Sequence, residues 1–156
     1  MKTSEIKSGD LLYWEGKGFY SWIIKHFTGY HQTHVAVALV LEGIPFYVEA
    51  TNPAGVRMVN IMTDPPKWCQ HTDAVVTDEA RKFLLSQLTI PYSLLNAAEA
   101  GVGMKPKEYG WECAELAAAF LRKCGWSKYL PTSPTPGNLW EEVEADTGHP
   151  LVLLEA

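Results

Sequence analysis

The sequence predicts an α+β fold in which an antiparallel sheet packs against helices. Three observations lead there. Two apolar, β-rich runs, "THVAVALVL" (33–41) and "IPFYVEAT" (44–51), flank the link Glu42-Gly43, as the arms of a hairpin would. Helical patterns lie on both sides of this block instead of alternating with its strands. The 156 residues, 47% apolar and 20% charged, suit one domain (1–156) with one sizeable core.

The elements follow in order. "GDLLYW" (9–14) reads as a short strand, and "FYSWIIKHFTG" (19–29) has helix-like apolar spacing that stops at Gly29. The hairpin comes next, and "GVRMVNI" (55–61) alternates as a third strand of a meander. After an irregular, proline-containing stretch, "DAVVT" (73–77) reads as a further strand. Thr77 then caps "DEARKFLLSQL" (78–88), whose first turn is acidic, as a helix start prefers. "YSLLNAAEAG" (92–101) is a shorter helix, and 102–110, with two glycines and a proline, is a loop. A helix starts near Cys113 and ends before Gly125. "SPTPGNLWEEVEA" (133–145) offers Thr135 as cap and Pro136 at the first helical position. The tail "PLVLLEA" closes as a strand.

Composition excludes several functions. The net charge is −5, the pI is near 5.5, and no Lys/Arg cluster occurs, so no nucleic-acid partner is expected. No run approaches the roughly 20 apolar residues of a membrane span. "MKTSEIKSGD" lacks a secretory pattern, so the chain is expected to be cytoplasmic as synthesised. A target outside the cell would need another route, such as phage-encoded delivery. The cysteines, Cys69, Cys113 and Cys124, are odd in number and form no C-x-x-C pair, which argues against a disulfide framework. Cys69 and His71 in "CQH" are too little for a zinc site, so neither metal nor cofactor is expected.

Cys113 is the residue on which function turns. Leu116, Ala117, Phe120, Leu121 and Cys124 follow it at helical spacing, so it begins the buried stripe of its helix. A small apolar role is open to it. Its place at the helix start, where backbone N–H groups and the dipole favour a thiolate, also suits a nucleophile. Glu112 and Glu115 oppose that by like charge. Cys124 lies at the wrong end of the dipole, and Cys69 has neither helix nor evident base.

A nucleophilic cysteine needs a base, and the base an orienting partner. If Glu42-Gly43 is the hairpin turn, Glu49 faces Ala36 and His34 faces Thr51. His34, Ala36 and Glu49 then share one face, with His34 and Glu49 diagonal neighbours within side-chain reach. Ala36 and Ala38 make that face smooth, and the run Ala117–Ala119 makes the Cys113 helix smooth. The helix is therefore expected to pack there, carrying Cys113 toward His34. Of the other histidines, His26 falls in the first helix, His31 beside a turn near the site's mouth, and His71 and His149 in loops.

"GDLLYW", "THVAVAL", "YVEAT" and "WECAELAAAFL", in that order over roughly residues 8–140, resemble the circularly permuted papain-like cysteine hydrolases. These include the YiiX-like proteins, within the NlpC-type cell-wall peptidase superfamily. The permuted order is the telling feature, because His34 and Glu49 precede Cys113. The resemblance implies Cys113 as nucleophile, His34 as general base and then acid, Glu49 as its orienting group, and the Cys113 N–H in the oxyanion hole. "IPYSLL" resembles the segment before the cysteine helix, which implies a hydrogen-bonding Tyr92 at the site. "PTPGNLW" resembles a structural segment after it. Tyr13 and Trp14 are candidates for lining the cleft or for the core. Acyltransferase relatives carry Asn or Arg before the cysteine and often a second histidine in the third position. Glu112 and Glu49 stand there in this chain, which favours the peptidase or amidase side. The leading reading is cleavage of an amide in a peptidoglycan stem peptide. Its alternatives are a lipid or acyl-ester thiol hydrolase or acyltransferase with the same triad, and a non-enzymatic binding or virion module.

Overall fold

The computed structural model describes residues 1–16, 29–93, 109–126, 130–131 and 134–155. The expected helices at 19–29 and 92–101, apart from Gly29, Tyr92 and Ser93, and most of the loop at 102–110 lie outside them. Among the described residues, six strands form one antiparallel sheet: β1 (Leu11–Trp14), β2 (His34–Leu41), β3 (Ile44–Thr51), β4 (Gly55–Asn60), β5 (Trp68–Gln70) and β6 (Val152–Leu153). Their spatial order is β4-β3-β2-β1-β5-β6. Three helices are described: α1 (Asp78–Ser86), α2 (Cys113–Lys123) and α3 (Pro136–Thr147).

The hairpin has the register its turn implies, with Leu41 opposite Ile44 and Val37 opposite Val48. Glu42 (φ 51°) and Gly43 (φ 80°) are both left-handed, as the tight turn of a twisted hairpin requires. Thr77 caps α1 through Ala80 N, and Thr135 caps α3 through Asn138 N. Residues 73–77 are not a strand. Thr72 Oγ1 accepts Ala74 N–H and Asp73 takes φ 54°, so the chain turns there. The strand lies earlier, in Trp68–Gln70, which pairs with β1 on one side and β6 on the other.

The sheet buries both faces. On one, Tyr13, Val35, Val37, Leu39, Val48 and Ala50 pack with Leu116, Phe120 and Leu121 of α2, Leu84 of α1 and Leu139 of α3. On the other, Leu12, Ala36, Ala38, Tyr47 and Cys69 pack with Ile6 and Ile61. Helix α2 therefore covers the Val35–Val37–Leu39 face, not the Ala36–Ala38 face expected from its small residues. Covering the larger side chains removes more apolar surface from water, and that outweighs the closer approach alanines allow.

Two features position the start of α2. The β2–β3 ladder ends at Val37 and Val48, while β3 continues beside β4 to Thr51 and Gly55. The strands part beyond that point. In addition, Thr89 and Ile90 exchange hydrogen bonds with Val56 of β4, at 2.8 Å each. Gly55 makes this possible, since a Cβ there would lie 2.4 Å from Ile90 O. The chain then bridges from Pro91 and Ser93 to Trp111, two residues before Cys113.

Candidate active site

Glu112 starts α2. Its carboxylate accepts from Ala114 N and Glu115 N, while the Glu115 side chain accepts from Glu112 N. This reciprocal cap leaves Cys113 as the first helical residue. The thiol is buried and donates to Glu112 Oε1 at 3.0 Å. Burial pushes the thiol's pKa well up, and the Glu112 charge and hydrogen bond add to that. The N–H groups of Val35 and Ala114, directed at the sulfur, act in the opposite sense. Burial likewise raises the Glu112 carboxyl, against the hydrogen bonds it accepts.

His34 opens β2, opposite Trp14. Its Nε2 is hydrogen-bonded to Glu49 Oε2. Arg57, opposite Glu49 on β4, places Nε 2.8 Å and Nη2 2.7 Å from the other oxygen, Oε1. Burial alone would raise the Glu49 carboxyl, but His34 and Arg57 together hold it below the ordinary carboxylate range. The other ring nitrogen, Nδ1, has no hydrogen-bond partner among the described residues. The Trp14 ring lies 5.5 Å from the imidazole, tilted by 55°, and limits how it can turn.

The structure thus joins His34 to Glu49 but not to Cys113. The thiol's partner is Glu112, and the imidazole lies on the opposite face of the sheet from α2. The two meet through the backbone: Val35, whose N–H faces the sulfur, is the residue after His34.

The remaining candidates separate. Tyr92 bridges to Trp111, beside the approach to Cys113. His31 is exposed, with Nδ1 3.6 Å from Glu15 Oε1. Tyr13 is fully buried and donates to Gln70 Oε1 at 3.2 Å, so it is core and does not line a cleft. Alternation along β1 turns it away from Trp14 and His34. Arg57 and the capping role of Glu112 went unread in the sequence. Carrying the hairpin's alternation across the next turn would have found Arg57 opposite Glu49.

A second cluster lies at the other end of β1. Asp10, Cys69 and His71 bring a carboxylate oxygen, a sulfur and a ring nitrogen within 4.8 Å of one another. Asp10 Oδ2 is 2.9 Å from His71 Nδ1 and 3.9 Å from Cys69 Sγ.

No known family profile matches the chain, and no curated protein matches it. Among solved structures it is similar to the metalloprotein yiiX from Escherichia coli O157:H7. The TM-score is 0.62 at 12% identity, covering 94% of this chain and 88% of that one. The likeness is one of fold, an α+β architecture whose sheet here is six-stranded and antiparallel. Among the described residues, no helix is long and apolar enough to cross a membrane.

Proposed function

We propose that the chain is a cysteine hydrolase of permuted papain-like fold, cleaving an amide bond in a peptidoglycan stem peptide. The observation that carries this reading is the Glu49–His34 pair, which holds the imidazole by Nε2, with His34 adjacent in the chain to Val35, whose backbone N–H faces Cys113. The likeness to yiiX supports the fold on which such an arrangement would rest.

In the mechanism, the thiol leaves Glu112 and meets His34 around the open end of β2, where His34 is the first strand residue and the β2–β3 ladder has already ended. Nδ1 takes the proton, and the thiolate sulfur attacks the amide carbon. The oxyanion forms at the start of α2. There the Ala114 and Glu115 N–H groups are taken by Glu112, leaving the Cys113 N–H as the donor. Imidazolium returns the proton to the nitrogen as the C–N bond breaks. Water, deprotonated by His34, then hydrolyses the thioester, releasing the acid and the free thiol. Glu49, kept ionised by Arg57, stabilises the imidazolium in both halves.

The test pairs iodoacetamide labelling near neutral pH with muropeptide turnover, using the native chain, Cys113→Ala and His34→Ala. Selective labelling of Cys113 that slows in His34→Ala, with turnover lost in Cys113→Ala, supports the reading. Labelling of another cysteine first, or turnover that survives Cys113→Ala, overturns it. Turnover of acyl esters with muropeptides ignored would replace the substrate class and keep the nucleophile.

A further inference from the structure

We propose that Asp10, Cys69 and His71 form a metal site for a borderline-soft divalent ion, zinc by its donor set, with water as fourth ligand. The inference is independent of the hydrolase reading. The cluster lies beyond the β1 end opposite Trp14 and His34, roughly 13 Å along the strand at about 3.3 Å per residue.

The donors come from two places that the sheet makes adjacent. Asp10 immediately precedes β1, and Cys69 is the middle residue of β5, opposite Leu12. His71 follows β5 directly. One sulfur, one imidazole nitrogen and one carboxylate oxygen are a donor set that suits zinc, with one coordination position open. A tetrahedral ion with bonds of about 2.0–2.3 Å needs ligand atoms three to four ångströms apart. The Asp10 oxygen already lies 2.9 Å from the His71 nitrogen and 3.9 Å from the Cys69 sulfur, and all three atoms lie within 4.8 Å of one another.

The surroundings hold the ligands in place. Lys7 N–H donates to Asp10 Oδ2 at 2.8 Å. The His149 ring packs edge-on against His71 at 5.9 Å and is itself held by Asp73 at 2.7 Å. Gln70 Nε2 donates to His149 O at 3.0 Å, tying that outer layer to β5. A cavity of about 40 Å³ bordered by Asp10, His71 and Lys7 has room for an ion's water. Asp10 and Cys69 are buried while His71 is partly exposed, so entry is from the histidine side.

Binding requires no redox partner. The Cys69 thiol loses its proton to solvent as the metal–sulfur bond forms. The His71 ring proton moves from Nδ1 to Nε2, freeing the Nδ1 lone pair. The ion then clips the β1 entry to β5, a strand of only three residues, and so serves the sheet.

The experiment titrates the full-length, chelator-treated protein with Co²⁺, reading thiolate-to-cobalt charge-transfer absorption in the near ultraviolet. Metal content after Zn²⁺ loading and dialysis is measured alongside. The expected result is one equivalent of metal, with the band and the equivalent kept in Cys113→Ala and lost in Cys69→Ser and His71→Ala. A rise in melting temperature on adding Zn²⁺ should be lost in the same two variants. Because Cys69 is a core residue, His71→Ala decides the matter if Cys69→Ser does not fold. No stoichiometric metal, or a band that disappears in Cys113→Ala and persists in His71→Ala, overturns the proposal.

Discussion

The sheet carries the same three residue types, a cysteine, a histidine and a carboxylate, at both ends of β1, and arranges them differently. At the Asp10 end, one carboxylate oxygen faces both the His71 nitrogen and the Cys69 sulfur, so three ligand atoms lie within 4.8 Å of one another. At the His34 end, the carboxylate takes the histidine on one oxygen and Arg57 on the other, and the thiol lies across the sheet with a carboxylate of its own. Convergence suits a cation. Separation of a held imidazole from a buried thiol is what the proposed hydrolase would use, with the thiol uncovered only when substrate draws it out. Residue type does not distinguish the two; what distinguishes them is which atom each carboxylate oxygen faces.

The sharpest way to break this contrast is Cys113→Ala, expected to reduce muropeptide turnover to background while the melting temperature stays near that of the native chain. Loss of folding instead would make Cys113 a core residue. Next comes His34→Ala, expected to lower kcat by roughly 10²–10⁴-fold, the range for a positioned general base. Glu49→Gln should cost less, on the order of tenfold or more in kcat with KM little changed. It keeps a hydrogen-bond acceptor for Nε2 but loses the charge that stabilises imidazolium. A KM effect with kcat intact would make Glu49 structural. Smaller still is Glu112→Gln, which keeps an acceptor oxygen for the α2 cap but removes a negative charge beside the thiol. Iodoacetamide should modify Cys113 several-fold faster in this variant at neutral pH. An unchanged rate would mean that burial alone, the larger cause, holds the thiol protonated.

Much of the contrast was legible in the sequence, and the remainder has physical reasons. Alternation across Glu42-Gly43 put His34 and Glu49 on one face, because a two-residue turn leaves no freedom of register. The helix starts after Thr77 and Thr135 were readable from side chains that hydrogen-bond locally, and the helix at Cys113 from the spacing of its apolar stripe. The face on which α2 packs was not readable. Both faces of "HVAVALVL" are apolar, so alternation ranks neither, and close approach of alanines competes with burial of valine and leucine. The Asp10–Cys69–His71 cluster was hidden twice over. Asp10 stands 59 residues from Cys69, and the strand that unites them has three residues, too few to show a period. "DAVVT" had the β-branched composition but not the position, since Asp73 turns the chain.

The smallest expected effect separates the two carboxylates at the His34 end by the sign of their pH dependence. Glu49 has a folded pKa below its ordinary 4.5. Its ionised form therefore stabilises the fold above that value, and the contribution is lost as pH falls through the lower, folded one. Glu112 has a folded pKa above 4.5. Its ionisation therefore opposes folding at neutral pH, and the penalty fades as pH falls through the raised value toward 4.5. Glu49→Gln should lower the melting temperature at pH 7, with the difference closing in stronger acid. Glu112→Gln should leave it equal or higher at pH 7, with any gain shrinking on acidification. For a chain of this length about 1 kcal/mol corresponds to roughly 2–4 °C, which calorimetry across pH resolves. Parallel pH profiles for the two variants would mean that Arg57 and His34 do not set Glu49 apart, and the fixed base would lose its distinguishing charge.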